Sequence, residues 1–153
     1  MSFHLLLTIH IASVILLLGI GGGSAYYKFM ADRSKNLELI VHTNKLVVLA
    51  DWLFITPAVI LQPLSGFMLM NLLGYPLKTP WLMSSILLYT FSIILWLIAV
   101  YLQIKMKELS ISLHDKKRAL TNEYFKLVKY WIWLGVFSSL AMSWIFILMI
   151  FNS

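Results

Sequence analysis

Four long stretches of the chain are almost entirely apolar, and shorter polar segments separate them. They cover about residues 3–25, 46–73, 81–104 and 130–151. Because a helix rises 1.5 Å per residue, about 20 apolar residues suffice to cross the hydrocarbon core of a bilayer. Every stretch reaches that length. The pattern therefore predicts four transmembrane helices within one integral membrane domain, residues 1–153.

The three connections differ in length and charge. The second is a short turn of helix breakers, 74–80, whereas the first and third are longer and charged. Eleven of the twelve Lys and Arg residues belong to the first and third connections, and Lys78 alone belongs to the second. The positive-inside rule then places both chain termini on the outer side of the membrane. Since short links favour antiparallel neighbours, we expect an all-α, up-down-up-down four-helix bundle.

Composition excludes a soluble domain. Apolar residues make up 61% of the chain and charged residues 12%, whereas soluble domains carry roughly 25% charged residues. The absence of cysteine excludes disulfides, cysteine-ligated metal centres and covalently attached haem. The net charge of +6 does not indicate nucleic-acid binding, because the basic residues are confined to connections and act as topology signals. The expected partner is the lipid bilayer.

The third connection, 105–129, alternates charged residues with leucine at near-helical spacing. This pattern predicts that the third and fourth helices extend beyond the membrane and meet at a turn near His114 and Asp115. A helix lying on an anionic lipid surface is the alternative.

Two ionisable residues fall inside the predicted spans, His10 and Asp51. Each marks a candidate site, because an Asp at the centre of a membrane helix costs about 2.5–3.5 kcal/mol on insertion scales. By the helical rise, His10 lies about 6 Å outward of the midplane and roughly 30 Å along the membrane normal from His42. These two histidines therefore cannot ligate the same iron within one chain.

Polar or sulfur-bearing groups on the other helices are predicted at the level of His10. They include Gln62, Tyr89 and Met142. If His10 holds a haem iron, Met142 is the candidate second axial ligand, because imidazole and thioether both bind haem iron. The simpler alternative is that His10 hydrogen-bonds Gln62, Tyr89 or Ser143 and only fixes the helix register.

Asp51 lies about one turn inside the predicted cytoplasmic boundary, and Lys45 is too far around the helix to pair with it. Its partner is therefore expected on another helix or in water. The candidate donors are Tyr26, Tyr27, Lys28 and Lys129. A carboxylate at this depth can relay protons or hold a cationic ligand, and the structural alternative is an interface ion pair or a protonated, hydrogen-bonded acid.

Small residues and prolines mark two further features. Residues 19–25 form a patch with Gly19 and Gly23 four apart, which lets another helix or a flat ligand approach closely; helix packing is the expected use. Pro57 and Pro63 predict kinks in the second helix, because each removes a backbone hydrogen bond.

Several of these residues carry a resemblance to a known family: His10 within Leu-Thr-Ile-His-Ile, the glycine-rich stretch after it, Asp51 six residues before Pro57, Gly66 downstream, and Trp81-Leu82 near the start of the third helix. Over nearly its whole length the chain resembles an uncharacterised family of small bacterial four-helix membrane proteins. That family is distantly similar to copper-resistance-D-like proteins and to the membrane protoporphyrinogen oxidase of haem synthesis. The resemblance implies a bacterial inner membrane location and haem b near His10.

Three functions follow as hypotheses. The first is a b-type haem-binding membrane protein, a redox carrier or redox enzyme, with His10 and Met142 as iron ligands. The second is an accessory or structural subunit that packs its glycine face in a homodimer or a larger membrane complex. The third is a proton-coupled transporter or enzyme that uses Asp51. No catalytic group is identified, so whether the chain is an enzyme stays open.

Overall fold

Four long helices make up the fold. The computed structural model describes residues 2–152 and contains α1 (Phe3–Ser34), α2 (Leu37–Leu73), α3 (Pro80–Asp115) and α4 (Asn122–Asn152). Each is long and apolar enough to cross a membrane, and no strand occurs between residues 2 and 152. The predicted all-α fold with four spans is thus confirmed.

Local sequence signals explain where the helices start and stop. Asn36 caps α2, because its side-chain oxygen accepts hydrogen bonds from the N–H groups of Glu38 and Leu39. Gly74 follows the last residue of α2 with a φ of 73°, a left-handed conformation that glycine adopts without steric cost. Pro80 begins α3 at the first helical position, where its missing N–H group is not needed.

One π-helical turn, Asp51–Ile55, interrupts the α-helical pattern of α2 directly before Pro57. Proline has no N–H group, and its ring clashes with the carbonyl four residues earlier. The α-helical hydrogen bond from residue 57 to the carbonyl of Leu53 is therefore lost. Instead, the N–H of Thr56 bonds the carbonyl of Asp51 five residues back, and the Thr56 hydroxyl donates to the same oxygen at 2.9 Å. Such turns are rare and occur frequently at functional sites.

The helices pack as two pairs that meet unevenly. α1 packs along α2, and α3 packs along α4 and against α2, whereas α1 and α4 make few contacts. We call the end of the bundle that holds the α1–α2 and α3–α4 connections the connection end. A buried apolar cluster fills this end and consists of Ala31, Ile40, Ala99, Met106, Tyr124, Val128 and Trp131.

Candidate functional site

His10 is half-buried and faces α2. Its Nδ1 lies 3.0 Å from Oγ of Ser65, and its Nε2 lies 3.1 Å from Nε2 of Gln62. The Ser65 hydroxyl donates to the carbonyl of Leu61 at 2.7 Å, and an amide nitrogen is only a donor. The imidazole therefore donates from Nδ1 to Ser65 and accepts at Nε2 from Gln62. Both ring nitrogens are engaged.

Gly66 makes room for this imidazole. A Cβ atom at position 66 would lie 3.1 Å from Cε1 of His10, closer than normal van der Waals contact. The contact between His10 and Gln62 is the one that the sequence offered as the register-fixing alternative to iron ligation. His10, Gln62, Ser65 and Gly66 together fix the register of α1 on α2.

Tyr89 has a defined structural role. Pro63 has no N–H group, so the carbonyl of Val59, four residues earlier, lacks its helical partner. The Tyr89 hydroxyl donates to that carbonyl at 2.7 Å. A side chain of α3 thus replaces the hydrogen bond that the proline removes, as occurs at other prolines within membrane helices.

A buried polar network joins all four helices at the connection end. Lys28 is 1% exposed, and its Nζ donates to Oδ2 of Asp32 at 2.8 Å, to Oδ1 of Asn44 at 2.9 Å and to the Tyr124 hydroxyl at 3.2 Å. Tyr124 donates to the other carboxylate oxygen of Asp32 at 2.6 Å. The Asn44 amide donates to Oγ of Ser110 at 3.1 Å. We call these five residues the lysine network.

The lysine network is complete in itself. The three ammonium protons of Lys28 have three acceptors, and Nζ also lies 5.5 Å from the centre of the Trp131 ring, which favours a cation. The sequence placed Lys28 in the first connection and offered it as a partner for Asp51. Both expectations are corrected, because Lys28 lies within α1 and its protons serve the network. The four-residue spacing of Lys28 and Asp32 is the sequence signal that could have found this pair.

A cavity of about 540 Å³ lies between α1, α3 and α4, with α2 as its back wall. This volume is within the usual range of small-molecule sites, about 300–1,000 Å³. The cavity extends from Trp131 to Ser143 along α4, which is about 18 Å by the helical rise. Trp131 and Ala99 line it and also belong to the apolar cluster, so the cluster closes the cavity at the connection end.

The cavity is open along the side between α1 and α4. Gly22 on α1 and Gly135 and Ser139 on α4 line this opening and are exposed. No atom of another part of the described chain lies within 4 Å of a Cβ atom built at Gly21, Gly22 or Gly135. Packing within the chain therefore does not explain the small residues that the sequence singled out on α1. They leave space beside the cavity.

Four buried polar atoms on the cavity wall have no hydrogen-bond partner within residues 2–152. They are Oδ2 of Asp51, Oγ of Ser92, Nε1 of Trp96 and Oε1 of Gln103. Asp51, Ser92 and Gln103 are only 5%, 4% and 7% exposed. The Gln103 side chain lies beside the Asp51 carboxyl group. Unsatisfied buried polar groups are rare in native proteins and need an explanation.

The predicted haem ligands lie in different places. Met142 lines the cavity, whereas His10 lies between α1 and α2 and is not among the lining residues. No cluster of three or more His, Cys, Asp or Glu residues suited to a metal ion occurs in the described part of the chain. As they stand, the residues do not fit a His–Met axial pair, because both nitrogens of His10 are hydrogen-bonded and Met142 belongs to another site. Haem b stays a prediction.

Comparison with known proteins identifies one family. Residues 4–152 match the model of a family described as "Predicted integral membrane protein (DUF2269)". No curated protein and no solved structure matches the chain.

Proposed function

Because the chain belongs to this DUF2269 family of integral membrane proteins, we propose that it binds a small amphipathic molecule inside the bilayer. The proposed site is the cavity between α1, α3 and α4, and the observation that carries the proposal is its set of four unpartnered polar atoms. A cavity that is only a packing defect is lined by apolar groups and stays empty. Each unsatisfied buried polar group costs about 1–3 kcal/mol, so an occupant that pairs with these atoms is strongly favoured.

This proposal develops the hypothesis that Asp51 handles a ligand. The π turn before Pro57 holds Asp51 in a buried position on the cavity wall. The site is therefore built on a local departure from regular helix geometry. This site supports binding of a ligand. Such binding would serve either transport of the bound molecule or a reaction on it.

Trp96 provides an internal reporter for the test. It lines the cavity, and a bromine atom on a bound molecule quenches tryptophan fluorescence at short range. The protein in nanodiscs of zwitterionic lipid is titrated with three amphiphiles of equal chain length, each brominated midway: an alkylamine, an alkanol and an alkanoic acid. We expect at least one to give saturable quenching that Trp96→Phe strongly reduces, with the remainder arising from Trp131, which also lines the cavity.

Two matched variants control this titration. Trp133 is 54% exposed and does not line the cavity, so Trp133→Phe should leave the saturable component intact. Replacing both Gly22 and Gly135 by Leu should fill the opening and abolish saturation. If no probe saturates, or if the filled variant titrates like the wild type, the proposed function is wrong.

Haem b at His10, as part of a redox carrier or enzyme, remains the second candidate, supported by the resemblance rather than by the geometry. It predicts a red preparation with a Soret band that shifts on reduction by dithionite and disappears in His10→Ala. The hydrogen bonds at both nitrogens of His10 favour a colourless preparation. A spectrum of protein purified from haem-replete cells decides between these outcomes.

We also propose that the protein lies in a bacterial inner membrane with the connection end in the cytoplasm. The support is the concentration of basic residues in the first and third connections. The chain has no cysteine, so single cysteines report topology directly. A membrane-impermeant maleimide should label Lys78→Cys in spheroplasts and label Lys116→Cys only after lysis. The reverse pattern would overturn the orientation.

A homodimer or larger complex, built on the glycine face of α1, is a separate proposal. Its support is that nothing in the described chain approaches within 4 Å of a Cβ atom built at Gly19 or Gly23. Oxidation of Gly19→Cys in native membranes should give a disulfide-linked dimer, whereas Phe67→Cys on the exposed face of α2 should not. Equal crosslinking of the two variants would contradict a dimer on this face.

A further inference from the structure

Resting on the proposed function, we infer that the ligand is an elongated lipophilic amine whose ammonium head binds Asp51 and Gln103. The apolar body would extend along the cavity away from the connection end. The molecule would enter sideways from the bilayer, between α1 and α4. Four features of the cavity support this inference: its charge, its length, a second polar contact and the route of entry.

The first feature is the charge of the cavity. Asp51 is the only carboxylic acid among the lining residues, and these include no Lys, Arg or His. Lys28, the buried cation at the same end, is held by Asp32. A buried carboxylate needs a cation or several donors. When Asp51 is ionised, the two unpartnered oxygens, Oδ2 of Asp51 and Oε1 of Gln103, are both hydrogen-bond acceptors. The matching head group is therefore cationic and donates hydrogen bonds.

The second feature is the length of the cavity. The polar pair lies at the connection end, where Trp131 closes the space. From Gln103 to Tyr89 the wall of α3 extends about 21 Å by the helical rise, and most of the lining is apolar. A ligand that fills this space has its charge at one end and a long apolar body. An inorganic cation or a small polar amine would leave most of the cavity empty.

The third feature is a second polar contact midway along the cavity. Ser92 and Trp96 are four residues apart, so they lie on one face of α3, and Oγ of Ser92 and Nε1 of Trp96 both lack partners. The indole N–H is only a donor. It therefore matches an acceptor oxygen on the ligand. By the helical rise, this oxygen lies about 10 Å along the cavity from the ammonium head.

The fourth feature is the route by which a ligand enters the cavity. The apolar cluster and the lysine network close the connection end, and both are buried. The cavity is open instead between α1 and α4, where Gly22, Gly135 and Ser139 offer little obstruction. In a single chain within the membrane this side faces lipid. A molecule that enters here must first partition into the bilayer, as a lipophilic amine does.

The head-group series of the Trp96 titration tests this inference. At neutral pH we expect the brominated alkylamine to bind about tenfold or more tightly than the alkanol, because only the ammonium head brings an opposite charge to the buried Asp51 carboxylate. The alkanoic acid should not saturate. Asp51→Asn should weaken the alkylamine by a similar factor and leave the alkanol unchanged.

Two further variants keep the test decisive. Gln103→Leu removes the second acceptor and should weaken the alkylamine without changing the alkanoic acid result. Glu108→Gln neutralises an exposed acid on α3 outside the cavity and should behave like the wild type, which excludes simple attraction of cations to the protein.

The outcomes separate the inference from the proposed function. If the three probes saturate equally, the cavity binds amphiphiles but the amine specificity is wrong. If the alkanol binds more tightly than the alkylamine, Asp51 acts as a neutral acid and the cationic head is wrong. If no probe saturates in the wild type, the proposed function fails together with the inference.

Discussion

The lysine network and the cavity contain similar groups in opposite states. Each has a buried carboxylate and a side-chain amide: Asp32 and Asn44, both bonded by Lys28, in the network, and Asp51 and Gln103 on the cavity wall. In the network, Lys28 lies 2.8 Å from the carboxylate of Asp32. In the cavity, one carboxylate oxygen and one amide oxygen lack partners within the described residues. Satisfied buried polar groups fix a structure, whereas unsatisfied ones mark where function departs from stability.

The packing around the two regions explains their difference. Apolar side chains from all four helices surround the lysine network, so neither water nor a ligand reaches it. The cavity lies where α1 and α4 separate, and small residues keep that side open. The network therefore holds the helices together at one end. The cavity occupies the space between the helices beyond the lysine network.

The largest expected effect is on the lysine network. Lys28→Met removes the cation and leaves the Asp32 carboxylate buried alone, which should lower the free energy of unfolding by about 3–5 kcal/mol. Reversible unfolding in mixed SDS micelles measures this loss. Lys45→Met, at an exposed lysine, is the matched control and should change little. Adding Asp32→Leu to Lys28→Met should restore much of the stability; a loss equal in both lysine variants would refute the role of the network.

The next effect concerns the tyrosine that closes the network. Tyr124→Phe removes a hydroxyl that donates to Asp32 and accepts from Lys28 and Asn44. We expect a loss of about 1–3 kcal/mol in the same unfolding assay, because the buried partners become unsatisfied. Tyr130 is 65% exposed, so Tyr130→Phe should have no measurable effect. Similar stabilities for the two variants would contradict this prediction.

How much of this was readable from the sequence depends on the range of the contacts. Hydropathy predicted the four helices, and counting the helical rise brought Gln62 to the level of His10, where the structure places it. The lysine network was missed, because Lys28 was counted as part of a connection and its partner Tyr124 lies 96 residues later. Neither periodicity nor charge counting reports a pairing at that separation.

The candidate site was readable only in part. Asp51 stood out, because a carboxylate inside an apolar stretch is costly. Pro57 predicted an irregularity in the second helix, but the sequence did not indicate that it takes the form of a π turn. The cavity depends on how far α1 and α4 separate, which is a property of the packed bundle. Gln103, Ser92 and Trp96 were therefore not identified as site residues.

A smaller effect is expected at the contact between α1 and α2. Gln62→Leu removes the donor to Nε2 of His10. We expect a loss of about 1 kcal/mol, the net value of one hydrogen bond of a partly buried group. Leu61→Gln changes an exposed neighbour and serves as the control for inserting or removing an amide on α2. If Gln62→Leu is as stable as the wild type, this contact does not fix the helix register.

The smallest expected effect on stability is in the cavity. Asp51→Asn exchanges a carboxylate with one unpartnered oxygen for a neutral amide of the same shape, so the free energy of unfolding should stay within about 1 kcal/mol of the wild type or rise, since a buried charge without an opposite charge beside it is unfavourable. A loss as large as that of Lys28→Met would show that Asp51 is a structural residue like Asp32.

Ligand-linked stability is the most direct test of the central claim, which is that the cavity's polar atoms are kept unpaired for a ligand. The unfolding free energy of wild-type protein and Asp51→Asn is measured with and without the alkylamine. At a hundredfold excess over its Kd, a ligand of the native state adds about 2.7 kcal/mol. We predict that gain for the wild type and, at the same ligand concentration, about 1.4 kcal/mol or less for Asp51→Asn, whose affinity should be about tenfold or more lower. Equal gains in both proteins, or none in either, would contradict the account.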